Sequence, residues 1–207
     1  MLDELKEAVI SGDSEKSKEI TQKLINSGKD PGMVLKDGLI AGMDVVGKRF
    51  KAYEMYIPEV LMSANAMKVA MNILKPLLSE SDIPSMGKIV MATIEGDLHD
   101  IGKNLVSMML EGAGFEIIDL GVDVPVIEII EESKKHNVDI IGISALLTTT
   151  MLGMEGAIKS IRESGISAKV MIGGAPITQD YADKIKADGF APDALRAIDL
   201  AKRLMSV

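Results

Sequence analysis

Apolar residues in the first 80 positions recur at the spacing of amphipathic helices. Turn-forming residues interrupt this spacing at Gly12-Asp13 and at residues 26–31, and Pro58 stands where the first turn of a helix tolerates proline. The pattern predicts four helices, at residues 2–10, 14–25, 33–50 and 58–78. Four helices joined by short turns are typical of a small bundle.

The pattern changes after residues 79–87, which hold turn formers without periodicity. Short β-branched apolar runs follow at 88–94, 115–120, 139–146 and 169–173, and a weaker one at 188–191 precedes a last helix at 193–205. Because helical stretches follow these runs, we expect a doubly wound parallel sheet with right-handed crossovers and helices on both faces. In such a sheet, ligands bind outside the carboxyl ends of the strands.

Composition and charge narrow the classes of protein that the chain can represent. A length of 207 residues with 47% hydrophobic and 26% charged residues is typical of two globular units. The net charge is −8 and the basic residues are dispersed, which argues against a nucleic acid or an anionic membrane as partner. No segment reaches the roughly 20 apolar residues of a membrane span, and the start is not a secretory signal, so we expect a cytoplasmic protein.

The chain contains no cysteine, which excludes disulfides, thiolate catalysis, iron–sulfur clusters and thiolate zinc sites. Only two histidines are present, His99 and His136. Any metal must therefore be held by carboxylates or a lone histidine, or must arrive inside an organic macrocycle. We expect His136, within the charge runs 131–132 and 134–136, to be a bystander on a solvated helix face without a carboxylate at ligand spacing.

The loop Gly96–Gly102 follows the first predicted strand and precedes a helix predicted from about residue 104, so His99 lies at the binding edge of the sheet. It is not a Walker phosphate loop, because five residues separate the glycines and Asn104, not Ser or Thr, follows Lys103. A carboxylate at Asp97 could fix one imidazole nitrogen and leave the other free for a metal. Read alone, His99 could equally cap the following helix or pack in the loop.

Two further motifs stand at fixed distances from this loop. Ser144-Ala145-Leu146 is separated from Gly102 by 41 residues (103–143), and Gly173-Gly174 is separated from Leu146 by 26 residues (147–172). The order, the spacing and the placement after the first, third and fourth strands resemble the Asp-x-His-x-x-Gly, Ser-x-Leu and Gly-Gly signature of corrinoid (cobalamin)-binding domains. The resemblance covers residues 88–207 and extends to the cobalamin-binding module of methionine synthase.

The resemblance implies a cobalamin site formed by Gly96, Asp97, His99, Asp100, Gly102, Ser144, Leu146, Thr148, Thr150, Gly173 and Gly174. It implies that His99 is the lower ligand of cobalt, in place of the dimethylbenzimidazole of the cofactor. By the same resemblance, Asp97 accepts the other imidazole N–H, and Thr150 extends the pair to a relay where methionine synthase has a serine. From the residue types alone, one threonine of the run 148–150 is expected to cap a helix.

The other motif residues are implied to hold the nucleotide tail of the cofactor. Ser144 would form a hydrogen bond with the buried tail, and Thr148 matches a second position that contacts it. Gly173-Gly174 would leave room where side chains would clash, although a plain strand-ending turn explains two glycines as well.

Residues 42–50 and 56–67 resemble the helical cap that covers the upper face of methylcobalamin. The resemblance places Tyr56 over the cobalt face, with Met62 and Ala66 as further candidates. Ten of the 15 methionines lie between residues 33 and 109, as expected for an adaptable apolar surface or an ordinary bundle core. The expected fold is α/β, with a four-helix bundle cap (1–80), a linker (81–87) and a Rossmann-like, flavodoxin-like cobalamin-binding domain (88–207).

A cap with one corrinoid domain resembles the corrinoid proteins of anaerobic methanol, methylamine, betaine and aryl-ether systems. The resemblance implies a methyl carrier between a substrate-specific methyltransferase and a second methyltransferase with a folate or thiol acceptor, served by a reductive activator. The chain offers no nucleophile or substrate-binding constellation, so we expect a subunit of a multi-component system.

Three alternatives stay open. The small subunit of an adenosylcobalamin mutase shares the motifs but lacks the cap, and a cobalamin-sensing regulator normally adds a DNA-binding module. Asp97, His99 and Asp100 could also bind a hard divalent ion without a corrinoid.

Overall fold

Four helical segments occupy the amino-terminal part of the chain, as the apolar spacing predicted. The computed structural model describes residues 1–78 and 86–205, apart from the side chain of Lys51. The segments are α1 (Leu2–Ile10), α2 (Ser14–Asn26), α3 (Pro31–Met33) continued by a π-helical stretch (Val34–Ile40) and α4 (Ala41–Lys51), and α5 (Ile57–Leu74) followed by a 3₁₀ turn (Lys75–Leu77).

Capping residues explain where these helices begin and end. Asp13 and Asp30 accept hydrogen bonds from the N–H groups of Lys16 and Met33, at 2.9 and 2.8 Å, which starts α2 and α3. The third predicted helix therefore begins at residue 31 instead of 33. The fourth ends its α-helical part at Leu74, since Pro76 has no N–H to continue the ladder.

The second part of the chain forms a five-stranded sheet in which every pair is parallel. The strands are β1 (Lys88–Thr93), β2 (Glu116–Asp119), β3 (Ile140–Ser144), β4 (Lys169–Gly173) and β5 (Gly189–Phe190). Their order is β2-β1-β3-β4-β5, the flavodoxin-like arrangement, which confirms the predicted fold class. The third strand ends two residues before its predicted end, at Ser144, and the weak fifth strand contains only two residues.

Helices connect the strands and bury the sheet from both faces. They are α6 (Ile101–Gly112), α7 (Val126–His136), α8 (Thr148–Met151), α9 (Gly153–Glu163), α10 (Gln179–Lys184) and α11 (Ala194–Met205). Val90, Ile141 and Val170 pack with residues of α7 and α9 in one core, while Ile89 and Ile140 on the opposite face are equally buried. The near-continuous apolar strands therefore suit a sheet covered on both sides.

The register places the three sequence motifs side by side. Thr93 pairs with Ser144, and Ser144 pairs with Gly173, so β1, β3 and β4 end next to one another. The loop that carries His99 follows β1, from which the strand order runs in both directions, to β2 on one side and to β3 on the other. This is the topological switch point at which open α/β sheets bind ligands.

The described residues divide into two compact units, 1–78 with 111–114, and 86–110 with 115–205. The domain limits inferred from the sequence, 1–80 and 88–207, stay predictions, and residues 81–85 of the predicted linker lie outside the described residues. Within the described ranges, no helix is both long and apolar enough to cross a membrane.

The backbone at Gly174 admits no side chain. Its φ is +130°, and an added Cβ would lie 1.8 Å from the carbonyl oxygen of Ala145. We expect Gly174→Ala to lower the free energy of unfolding by about 3 kcal/mol, from strain and overlap together. Gly156→Ala is the matched control, because Gly156 lies within α9 with open space around it and should be neutral or gain up to about 1 kcal/mol. Urea unfolding followed by circular dichroism would measure both, and similar values for the two variants would contradict the prediction.

Candidate functional site

The carboxylate of Asp97 is the buried centre of the loop after β1. Its side chain is 0% exposed and accepts five hydrogen bonds. Oδ1 accepts from the backbone N–H of His99 at 3.1 Å and lies 2.7 Å from its Nδ1. Oδ2 accepts from the N–H groups of Leu146 and Leu147, at 2.8 and 3.2 Å, and from the Thr150 hydroxyl at 2.6 Å. One carboxylate thus joins the loop after β1 to the loop after β3.

These donors keep Asp97 ionised. Burial by itself would raise the pKa of Asp97, but the hydrogen bonds from the Thr150 hydroxyl, the Leu146 N–H and His99 outweigh it and hold the pKa well below its usual range. A carboxylate without a proton can only accept hydrogen bonds. The hydrogen bond between Asp97 and the His99 ring therefore needs the proton on the histidine Nδ1.

His99 presents one ring nitrogen outward. Its side chain is 51% exposed, and among the described residues Nε2 has no hydrogen-bond partner. With the proton of the neutral ring on Nδ1, Nε2 keeps its lone pair. A buried carboxylate that orients an imidazole and raises its basicity is the usual support for a histidine metal ligand.

The threonine run contributes to the site in a different way from a helix cap. The residue before α8 is Leu147, and α8 has no side-chain cap, so the predicted threonine cap is wrong. The Asp97 carboxylate accepts from the N–H groups of Leu146 and Leu147 just before the helix, and Thr150 donates to Asp97 instead of capping. The geometry thus brings together His99, Asp97 and Thr150, whereas Thr148 lies exposed at the first residue of α8.

Two residues that the sequence analysis did not single out hold the same loop. Thr93, the last residue of β1, is fully buried, donates to the carbonyl of His99 at 3.0 Å, and lies 3.0 Å from the Ser144 hydroxyl. Asp123 accepts from the N–H of Gly96 at 2.7 Å and donates its own N–H to the Asp97 carbonyl. Polar residues at or just after strand ends are the signal that could have identified both.

The hydroxyl of Thr93 has a single proton, which it donates in the hydrogen bond to the His99 carbonyl. Ser144 must therefore donate to Thr93, so toward a ligand its oxygen offers lone pairs. Its position at the end of β3 agrees with the expected one, with its proton already used within the protein.

Exposed apolar side chains flank His99. Leu98 is 71% exposed and Ile101 is 85% exposed, and three leucines on or after the loop following β3 are exposed too: Leu146, Leu147 and Leu152. Several large apolar residues exposed together indicate a surface that binds an apolar partner or ligand. Of these, the sequence analysis had included only Leu146.

The glycines of the predicted site differ in the structural reason for a residue without a side chain. Gly96 has φ +83°, a left-handed backbone that favours glycine, while a Cβ at Gly102 would meet open space. At Gly174 the space of a side chain is taken by the carbonyl of Ala145, so a close backbone approach explains this glycine. A Cβ at Gly173 would lie 3.1 Å from the Ala191 carbonyl. The strand-ending turn is therefore sufficient for Gly173-Gly174, and room for a cofactor tail stays a prediction.

Helix α6 begins at Ile101, three residues earlier than predicted, so Asp100 directly precedes it. The Asp100 carboxylate accepts from the side-chain amide of Asn104 at 3.0 Å. The carboxylates of Asp97 and Asp100 thus both accept from donors within the protein, and the described part of the chain holds no group of three metal-ligating side chains.

The remaining predicted positions lie elsewhere. Tyr56 precedes α5 and is exposed, as is Met62, and their roles stay predictions. Ala66 is fully buried and its carbonyl accepts from the Ser17 hydroxyl on α2, so it belongs to the helical core and the expectation for it is wrong. His136 does have a carboxylate within reach, because Glu132, one turn earlier, lies 3.2 Å from its Nε2.

Comparison with known proteins decides the family. Two B12 binding domain models match the chain, one at residues 87–199 and one at residues 1–75. The chain belongs to the B12-binding corrinoid proteins.

Relatives of this corrinoid protein match it over nearly their whole length. A corrinoid protein of Desulfitobacterium hafniense is 43% identical over 210 residues, covering 99% of this chain and 97% of that protein. The dimethylamine corrinoid protein of Methanosarcina barkeri is 44% identical over 209 residues, covering 100% of this chain and 98% of that protein.

Two solved structures share the fold. The methanol:cobalamin methyltransferase complex of Methanosarcina barkeri matches with a TM-score of 0.91 and 30% identity, covering 99% of this chain and 79% of that chain. A cobalamin-binding protein of Desulfitobacterium hafniense matches with a TM-score of 0.75 and 33% identity, covering 99% and 98%.

The charge of Asp97 should contribute to the stability of the corrinoid-free protein. We expect Asp97→Asn to lower the free energy of unfolding at pH 7 by about 3 kcal/mol, because an amide cannot accept all the buried donors. Thr150→Val, the control that removes one donor, should lose about 1 kcal/mol.

The loss of unfolding free energy in Asp97→Asn should depend on pH in a defined way. The pKa of Asp97 is depressed on folding, so its stabilisation is complete above the unfolded carboxyl pKa of about 4 and is lost as the pH falls toward the lower folded value. The difference in unfolding free energy between wild type and Asp97→Asn should therefore be at its full carboxylate value at pH 5 and shrink as the pH falls below about 4. A difference that grows as the pH falls from 4 to 2 would contradict the ionised state of Asp97.

Proposed function

We propose that this corrinoid protein carries a methyl group, on the cobalt of a bound corrinoid, from a substrate-specific methyltransferase to a second methyltransferase with a folate or thiol acceptor. A reductive activator would reduce the cobalt of inactive corrinoid protein. The observation that carries the proposal is the half-exposed His99 ring, held at Nδ1 by a buried carboxylate and unpartnered at Nε2 among the described residues.

The residues present fit a corrinoid. His99 offers an oriented imidazole nitrogen, and the exposed Leu98, Ile101, Leu146 and Leu147 offer an apolar surface for a large flat ring. Apolar surface of this kind favours a site that a ligand covers. We infer that His99 would bind the cobalt through Nε2 and that these side chains would contact the corrin ring.

The bound corrinoid would supply a metal centre that accepts and releases a methyl group. Asp97 and Thr150 would keep the proton of His99 on Nδ1 and fix the plane of the imidazole, so that the lone pair of Nε2 would stay available to the metal. Ser144, at the end of β3, and Gly173, at the end of β4, lie side by side where the nucleotide tail is expected.

The methyl donor proposed is a methylamine. Relatives named dimethylamine corrinoid proteins from three Methanosarcina species are 41–49% identical to this chain, and a monomethylamine corrinoid protein shares 34% identity. Since the chain covers 98% of one dimethylamine relative, the two share one domain plan. The B12 binding domain model that matches residues 1–75 favours a carrier over a mutase subunit, which lacks the cap.

Replacing the histidine should separate cobalt ligation from tail binding. We expect His99→Ala to bind hydroxocobalamin at least about tenfold more weakly, since loss of a ligand should exceed the loss of a supporting partner, and to show a shifted visible spectrum. The control is His136→Ala, which removes the other histidine, on α7, and should leave both unchanged. Absorbance titration of apoprotein measures both quantities, and an unchanged spectrum in His99→Ala would refute the ligand assignment.

The donor assignment is tested by methylation of the reduced holoprotein. Dimethylamine, monomethylamine and methanol would each be supplied with the corresponding methyltransferase, and the change in the corrinoid spectrum followed. We expect the fastest methylation with a methylamine enzyme. Methylation by the methanol enzyme alone would overturn the methylamine assignment and leave the carrier function standing.

A further inference from the structure

Lys103 is a buried cation beside the histidine loop. Its side chain is 1% exposed. The ammonium donates to both carboxylate oxygens of Asp119, at 2.5 and 2.6 Å, and to the side-chain oxygen of Asn104 at 2.7 Å. A lysine has three N–H donors, so these contacts satisfy all of them.

The contacts of Lys103 reach the residue next to His99. Asn104 donates its side-chain amide to the carboxylate of Asp100 at 3.0 Å, and its backbone N–H to the Asp100 carbonyl at 2.7 Å. At the other end, Asp119 is the last residue of β2 and also accepts from the N–H of Gly121. The start of α6 is therefore tied to the carboxyl end of β2.

This tie complements the one made by Asp97. β1 lies between β2 and β3 in the sheet. Asp97 binds the loop to residues that follow β3, while Lys103 binds the end of the same loop to β2. His99 lies between the two attachments and is thereby held from both sides of its strand.

We propose that Lys103 is a positioning residue for His99, holding the loop in the geometry in which the imidazole meets cobalt. Because Asp119 is 39% exposed, its ion pair with Lys103 lies partly in solvent and adds little net stability, which favours a positioning role over a stabilising one. The inference rests on the proposed role of His99 as the ligand. It predicts that Lys103 affects corrinoid binding only through His99.

A double-mutant cycle tests this dependence. The affinity of apoprotein for hydroxocobalamin would be measured by absorbance titration in wild type, Lys103→Met, His99→Ala and the double variant. We expect Lys103→Met to weaken binding roughly tenfold in the wild-type background, with partial loss of the histidine-ligated spectrum. In the His99→Ala background, the same change should have no further effect.

The matched control is Lys135→Met, which removes an exposed ion pair with Glu132 on α7 of the same unit and should leave affinity unchanged. Should Lys103→Met fail to fold, Asn104→Ala replaces it, because it cuts the link to Asp100 at an exposed position and leaves the Lys103–Asp119 pair intact. Its smaller loss of affinity should likewise vanish in the His99→Ala background.

Equal losses of affinity in both backgrounds would show general damage and overturn the inference, while His99 would stand as the ligand. An unchanged affinity and spectrum in His99→Ala alone would instead overturn the ligand assignment, and the positioning role with it. The two failures are therefore distinguishable in one set of titrations.

Discussion

The five hydrogen bonds to the buried carboxylate of Asp97 are the constraint on which the site depends. They hold its pKa low despite complete burial, orient the imidazole of His99, and attach the loop after β3. An ion can remain charged in the interior only when its hydrogen bonds replace the water it has lost. The need to satisfy this carboxylate therefore determines the conformation of two loops at once.

The location of the carboxylate follows from the strand order. β1 lies inside the sheet with its carboxyl end at the switch point, so the loop that follows it can be attached to β2 on one side and to β3 on the other. A side chain on a loop attached at two points keeps its direction, so the His99 imidazole would stay oriented toward a bound corrinoid.

Much of the fold was predictable because its signals are local. Helical and strand periodicity identified the four helical segments and the five strands, and errors of one to four residues arose at helix ends, where capping decides. The loop Gly96–Gly102 was identified by its residue types and by its distance along the chain to Ser144 and Gly173-Gly174. Both features can be read from the sequence because neither depends on packing. Hence the family, the cofactor class and the candidate ligand could all be inferred before any coordinates.

The sequence alone thus determined the elements and the motif order, because both depend on neighbouring residues. The family resemblance had implied that Thr150 joins the pair of Asp97 and His99, and the tertiary structure shows that contact. Only the tertiary structure decided that Thr93 supports the His99 loop and that Lys103 is buried against Asp119. These partners are 6 to 53 residues apart in sequence and meet where strands end. The spacing of residues along the chain does not predict these contacts, because they depend on the register of the strands in the sheet.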